Sequence, residues 1–400
     1  MATVAGMSTT IGGIEVHGTV AEGFGKVADA FAGNFTDPGE LGAAFALYVG
    51  GECKVDIWAG VADEASRRVW DENTLQLVFS TTKGATAICI AKLVEAGLLD
   101  YAAPVVQYWP EFGAHGKDTV TVEQLMSHQA GLPYVDGPLT LDEVLAVTPV
   151  VEALAAEAPK WEPGTAHGYH AVTYGWLAGE LVRRVDGRSI GMYFAEEVAA
   201  PLGLEFWIGL PASEEIRVST LKAPPAPTDP AVAAMVEQFM GEGTPGWKAL
   251  TMSGAFGEIN DNDDSPFNTR EVHATEMPAA NGITNAGSLA RMYAATVGDV
   301  DGVRLLSADM VERARAERVN APDMSLVLPT RFGAGFMLDT PFAPLLTPES
   351  FGHPGAGGSL GYADPTNEVG YGYVMNEMHS GLTGDPRTVN LNNAVRDCLS

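Results

Sequence analysis

The chain has 400 residues, enough for a large core in one big domain or two intertwined ones. Its 46% hydrophobic and 18% charged residues are globular values, and 51 acidic against 23 basic residues give a net charge of −28 that disfavours nucleic acid and anionic membrane surfaces as partners. Cys53, Cys89 and Cys398 are too widely spaced for a metal or redox motif.

Residues 1–20 contain no basic segment and no unbroken apolar run, so no signal peptide is expected. No stretch approaches the ~20 apolar residues that a membrane span requires. A cytoplasmic protein is expected.

In chain order, Phe24, Val27, Ala28 and Phe31 predict a short amphipathic helix. Residues 44–49 and 55–60 predict a hairpin turning at Gly50-Gly51. Leu75, Leu77 and Phe79 alternate with Gln76 and Val78 as an extended approach to Ser80-Thr81-Thr82-Lys83. Ala87, Ile90, Ala91 and Val94 then keep helical spacing to a stop at Gly97. Residues 100–119 are loop-rich, and Thr121-Val122-Glu123-Gln124 has the capping-box pattern of a helix ending near His128.

Further helices are predicted over 141–147, over 150–157 with Thr148-Pro149 as cap and first position, over 171–185 before Gly187, and over 190–200 before Pro201. Residues 211–230 read as a linker, and 241–285, rich in Gly, Asn and Asp, as an irregular stretch bordering a cleft. Residues 288–296 are helical. Strands follow around 332–336, 359–363 and 369–375, with a last helix near 392–398.

Strands at both ends with helices between predict an α/β fold of the α+β type. Residues 1–83 and 285–400 would form a discontinuous domain, a mostly antiparallel sheet flanked by N- and C-terminal helices. Residues 84–284 would form a mostly helical domain with loops, and the active site would lie at the seam.

Ser80 and Lys83 are three apart on a helix and share a face. Serine is a weak nucleophile until a base takes its proton, and an amine is a base only when neutral, a state that burial or nearby positive charge favours. Main-chain N–H groups at the helix start would point at an anion developing beside the serine. The competing reading makes Ser80 a helix cap and Lys83 a solvated side chain.

Two other segments stand out. His167-Gly168-Tyr169-His170-Ala171 puts a tyrosine at a helix start, after the turn residues Pro163-Gly164. Phe351-Gly352-His353-Pro354-Gly355-Ala356-Gly357-Gly358-Ser359 leads into a late strand.

In this order the segments make the chain resemble the serine penicillin-recognising group: class C β-lactamases, D-alanyl-D-alanine carboxypeptidases and, most closely, family VIII carboxylesterases. Ser80-Thr81-Thr82-Lys83 matches the S-x-x-K motif. Tyr169-His170-Ala171 matches the tyrosine motif, with Gly175 at the expected offset. His353-Pro354-Gly355 falls where the β-lactamases carry Lys-Thr-Gly on an edge strand. The segment from Leu125 to Pro133 is similar to a helix-to-loop signature of the group. Glu276-Met277-Pro278-Ala279-Ala280-Asn281-Gly282 with Ser288-Leu289-Ala290-Arg291 is similar to the esterase branch. The resemblance covers roughly residues 20 to 395.

The resemblance implies a β-lactamase/transpeptidase-like fold with Ser80 as nucleophile and Lys83 and Tyr169 sharing its proton. The N–H groups of Ser80 and Ala356 would hold the oxyanion, with His353 and Gly355 on the substrate side. Two departures redirect the activity: Ala171 stands where the tyrosine motif closes with asparagine, and His353 where the strand lysine stands. Both lost groups hold a substrate amide or carboxylate. The expected function is therefore a serine esterase that hydrolyses short-chain carboxylic esters through an acyl-enzyme on Ser80. No metal or organic cofactor is implied, the partner is a small-molecule ester, and homo-oligomer formation is left open. The alternatives are a β-lactamase or D-Ala-D-Ala carboxypeptidase-like acyl transferase, and a non-catalytic scaffold of the same fold.

Gly357-Gly358-Ser359-Leu360-Gly361 is a literal G-x-S-x-G, but it leads into a strand pattern and only His379 follows it, so it reads as a turn. His128, His167 and His170 fit no zinc spacing and read as cleft-bordering or core residues. Trp161, Trp176, Trp207 and Trp247 flank the motifs as candidate walls of an apolar substrate pocket.

Overall fold

The computed structural model describes residues 8–36, 39–137, 139–226, 229–257 and 265–400. The first residues (1–7) and parts of the expected linker (227–228) and irregular stretch (258–264) lie outside the described residues.

The strands, in chain order, are β1 (Thr9–Ile11), β2 (Ile14–Val20), β3 (Gly42–Val49), β4 (Glu52–Asp63), β5 (Arg68–Val69), β6 (Gln76–Leu77), β7 (Phe206–Trp207), β8 (Ile283–Thr284), β9 (Val319–Pro322), β10 (Pro329–Phe332), β11 (Met337–Leu338), β12 (Phe351–Pro354), β13 (Leu360–Asp364) and β14 (Val369–Met375). One antiparallel sheet runs β1-β2-β4-β3-β14-β13-β12-β11-β10-β9, with β5 on the side of β4. A small second sheet, β6-β8-β7, lies beside the entry to Ser80. Both ends of the chain build the large sheet, and β3 pairs with β14 at its centre.

The period of two along β14 explains its layers. Val369, Tyr371, Tyr373 and Met375 face the N- and C-terminal helices, Gly25–Gly33 and Pro386–Leu399, in a core with Phe31, Phe45, Leu391 and Val395. Gly370 and Gly372 face the opposite way, beneath the helix Ala286–Val297. A Cβ on Gly370 would lie 2.2 Å from Ala290 O, and one on Gly372 2.4 Å from Ala286 O, so any side chain there would lift the helix off the sheet. The fold is α+β, with helices on both faces of the sheet.

The β3–β4 hairpin turns at Gly50-Gly51, with φ of 58° and 78°, the positive pair that a tight hairpin demands. Thr121 closes the expected capping box onto Gln124 at the start of Val122–Met126. Other expectations need correction. Within the expected strand 332–336, only Phe332 belongs to a strand, as the last residue of β10; residues 333–336 are the turn between β10 and β11, closed by the Gly333 N–H on Phe336 O. The helix from Ile190 does not stop at Pro201. It passes through a π-turn, Ala195–Ala199, continues over Ala200–Leu202 and ends at Gly203. The wider turn accommodates a ring that has no N–H to give. Val147, not Thr148, precedes the helix Thr148–Ala156, with φ of 64°. The short helices Pro230–Met240, Pro245–Thr251, Arg270–Ala274 and Ala308–Arg315 are additions to the sequence reading. Among the described residues no helix is long and apolar enough to cross a membrane.

Candidate active site

Ser80 stands at an elbow. Phe79 adopts φ of 43°, a left-handed backbone that is costly for an aromatic residue, immediately before the serine. The helix Thr82–Glu95 begins two residues later with Thr81 as its cap residue, so Ser80 does not cap it. The N–H groups of Thr82, Lys83 and Gly84 bond back to the carbonyls of Phe79, Ser80 and Thr81. The first-turn donors expected to face an anion are thus occupied, and among the described residues the Ser80 N–H has no acceptor.

Lys83 is fully buried, which removes the solvated alternative. Its Nζ lies 3.1 Å from Ser80 Oγ, 2.5 Å from Ala171 O and 3.0 Å from Ala279 O. Burial holds the amine well below its ordinary lysine range. A neutral amine has two hydrogens and one lone pair. The two carbonyls only accept, so they take the hydrogens, and the lone pair is left for the Ser80 hydroxyl.

The carbonyl of Ala279 comes from the segment that resembles the esterase branch. Asn281 fixes that segment by accepting from the Met277 N–H at 3.0 Å and donating to Val272 O at 2.7 Å. Gly282 closes on the nucleophile helix, donating its N–H to Thr82 Oγ1 at 2.8 Å. Ala171, the departure in the tyrosine motif, contributes its main-chain carbonyl to Lys83.

Tyr169 is buried over the same amine, with Lys83 Nζ 4.7 Å from its ring centre. Burial raises the phenol above its ordinary range and a hydrogen bond with Ser80 opposes that rise, so the group stays protonated at neutral pH. The ring stacks against Phe332 and His353 at centroid distances of 6.1 and 5.8 Å. Tyr169 sits before the helix Thr173–Asp186, not in it. Its N–H donates to Asp323 Oδ1 at 2.9 Å. The same oxygen accepts from the Ser325 and Leu326 N–H groups, and Oδ2 accepts from Thr330 Oγ1. No motif in the sequence marks Asp323.

The histidines expected as core or cleft groups form the wall behind Tyr169. The His170 N–H donates to His128 Nδ1 at 3.1 Å, and His170 Nε2 accepts from the Leu132 N–H at 2.9 Å. The 125–133 signature therefore holds the tyrosine segment in place. Burial pushes His170 down to about 3. His167 bonds Thr330 at 2.8 Å. Among the described residues no three His, Cys, Asp or Glu side chains are placed to hold a metal ion.

His353 lies on β12, which pairs with β13 along its length and with β11 only at Phe351 and Gly352, so His353 and Pro354 form a free edge. Burial pushes His353 down to about 3. Its Nδ1 faces Pro354 O at 2.7 Å and must carry the hydrogen, which leaves Nε2 as an acceptor 3.5 Å from the Tyr169 hydroxyl. His353 offers no fixed cation to a substrate.

Gly355 packs against the serine elbow, where a Cβ would lie 2.2 Å from Val78 O. Next to it, the Ala356 N–H has no acceptor among the described residues. Ser359 of the G-x-S-x-G sequence is buried, donating to Val78 O at 2.9 Å and lying 3.1 Å from Thr81 Oγ1. It ties the two segments together and has no histidine among its bonded partners.

Trp161 stands edge-on to His170 at 6.0 Å and borders the tyrosine segment. Trp176 is buried and lines a different cavity with Gly175, Gly179 and Pro278, so it leaves the set of expected pocket walls.

Residues 27–395 match the Beta-lactamase family. The chain is 37% identical over 380 residues to Esterase/beta-lactamase LipL of Mycobacterium tuberculosis (strain ATCC 25618 / H37Rv), covering 92% of this chain and 85% of that protein. A crystal structure of a family VIII carboxylesterase is 39% identical with a TM-score of 0.84, over 96% of this chain and 100% of its own. EstA from Arthrobacter nitroguajacolicus Rue61a is 35% identical with a TM-score of 0.83, over 95% of this chain and 98% of its own. With the serine, the buried lysine and the tyrosine gathered between sheet and helices, and with this match running almost the full length of the sequence, the chain belongs to the beta-lactamase family.

Proposed function

We propose that the protein is a serine carboxylesterase that hydrolyses short-chain carboxylic esters through an acyl-enzyme on Ser80. The observation that carries this reading is the Lys83 amine, buried with no carboxylate partner among the described residues and 3.1 Å from Ser80 Oγ. Lys83 takes the Ser80 proton as the oxygen attacks the ester carbonyl. The N–H groups of Ser80 and Ala356 receive the oxyanion. Tyr169, kept protonated by burial, passes its proton to the leaving alkoxide and is reprotonated from Lys83. Water then follows the same path in reverse roles to release the acid. The relatives named as esterases support the same reading.

A neutral ester suits this site because it needs no cation. β-Lactams and D-Ala-D-Ala peptides carry a carboxylate, and His353 and Ala171 supply neither the cation nor the amide that would hold it. The same proposal takes the natural partner to be a small-molecule ester, the protein to work in the cytoplasm, and the chain to divide into a sheet domain (1–83 and 285–400) and a helical domain (84–284).

The test is a chain-length series of p-nitrophenyl esters run beside a chromogenic cephalosporin. Turnover of the short esters, abolished in Ser80→Ala, is expected to exceed cephalosporin turnover by orders of magnitude. Equal rates would return the β-lactamase reading. No turnover and no covalent adduct with an activated ester would leave the scaffold reading.

A further inference from the structure

The Gly355–Ser359 turn is gripped from two sides. Ser359 ties it to the serine elbow. From behind, Arg387 in the first turn of the C-terminal helix is 4% exposed and places all five guanidinium hydrogens on acceptors. Nε donates to Asp385 Oδ1 at 2.9 Å, and Nη1 donates to Glu40 Oε2 and to Glu377 O, each at 2.9 Å. Nη2 donates to Asp385 Oδ2 at 2.8 Å and to the carbonyl of Gly357. The His379 N–H reaches the same carbonyl at 2.9 Å.

The glycine pair in the turn is shaped for this contact. Gly357 has φ of 86° and Gly358 φ of 128°, and a Cβ on Gly358 would lie 2.3 Å from Arg387 Nη2. A buried cluster of one cation and two carboxylates is a poor substitute for apolar packing as a source of stability. Its contact toward the site is the Gly357 carbonyl, one residue from the Ala356 N–H.

We propose that Arg387 is a positioning residue for ester hydrolysis, anchoring the Gly355–Ser359 turn through the Gly357 carbonyl so that the Ala356 N–H stays beside Ser80. The proposal rests on Ala356 as an oxyanion donor in the reading above. Losing such a donor altogether costs ~10²–10³ in rate, which bounds the effect of misplacing it.

The experiment compares full-length wild type, Arg387→Gln, Arg387→Lys and Glu40→Gln/Arg387→Gln on p-nitrophenyl acetate, with fluorophosphonate labelling of Ser80 followed by mass spectrometry. Arg387→Gln is expected to lower kcat by about 10- to 100-fold, with KM within about two-fold and labelling slowed in step. Arg387→Lys is expected to recover part of kcat. The double variant leaves one fewer unpaired carboxylate and serves if the single variant does not fold. A folded Arg387→Gln or double variant with kcat within about two-fold of wild type overturns the proposal. So does failure of every Arg387 variant to fold, which would make the residue a stability element only. Wild-type protein lacking both turnover and labelling at Ser80 is a separate result, and it removes the esterase reading itself.

Discussion

The Tyr169 main-chain N–H and the Asp323 carboxylate, 154 residues apart in sequence, meet at 2.9 Å in the wall behind Ser80. One Asp323 oxygen accepts three N–H groups, so the β9–β10 loop sets where the phenol stands. Asp323→Ala orphans all three donors at a buried position. Each such donor costs about 1–3 kcal/mol when left unpaired. The expected result is a clear drop in Tm and a fall in kcat that exceeds the change in KM. Asp323→Asn keeps the accepting oxygen and should retain most of the activity. Equal losses in the two variants would show that the carboxylate charge, not the acceptor, matters.

Lys83 makes the pH dependence specific. The amine acts as a base only when neutral, so activity is present above its pKa and lost as pH falls through it. Burial holds that pKa well below 10.5, which places the acid limb of kcat/KM well below that value. Tyr169 must keep its proton, and its shift is upward, so no alkaline limb is expected before about pH 10. Lys83→Arg, a cation that cannot be deprotonated, should lose ~10²–10⁴ in kcat/KM. A profile still climbing at pH 10 would remove Lys83 from the role of base.

How much of this was readable follows from what kind of group does the work. Ser80 and Lys83 stand three residues apart across the turn that opens the helix Thr82–Glu95, so spacing alone brings them together. Tyr169 and His353 were found through resemblance, since nothing local links residues so far apart. The 276–282 segment stands out in the sequence, but its contribution is the Ala279 carbonyl, a group every residue carries. Asp323 and Arg387 gave no signal because an aspartate in a hairpin loop and an arginine in a terminal helix are ordinary surface residues until the fold buries them. The turn at Gly333-Ala334-Gly335 reads as a strand in the sequence because Phe332 and Phe336 flank it. The glycine conformation decides there, with Gly335 at φ of 97° and no room for a Cβ beside the Tyr174 hydroxyl.

Ser359 separates the two serine motifs. Its hydroxyl links the serine elbow to the Gly355–Ser359 turn, so Ser359→Ala loses buried hydrogen bonds worth about 1 kcal/mol each. A lower Tm and a several-fold lower kcat are expected, with the fluorophosphonate adduct still on Ser80. Ser80→Ala should abolish both turnover and the adduct. An adduct that disappears with Ser359→Ala and survives Ser80→Ala would transfer the nucleophile to Ser359.

Glu40 gives the buried arginine cluster a pH signature in stability. Burial pushes its carboxyl from 4.5 up to about 8, opposed by Arg387 and reinforced by Asp385 and Glu377. Asp385 is held below its usual range by His379 and Arg387 and stays ionised throughout. A raised carboxyl pKa means that the folded state binds the proton more tightly than the unfolded chain. The stabilisation is therefore complete below about pH 4.5, declines as pH rises, and is gone above about pH 8. Glu40→Gln removes the titration while preserving shape. Measured by thermal unfolding between pH 5 and 9, the Tm of Glu40→Gln should gain on wild type with rising pH and level off above about 8. Curves that stay parallel across the range would mean that Glu40 keeps its charge in the fold and that Arg387 is shared by two ionised carboxylates.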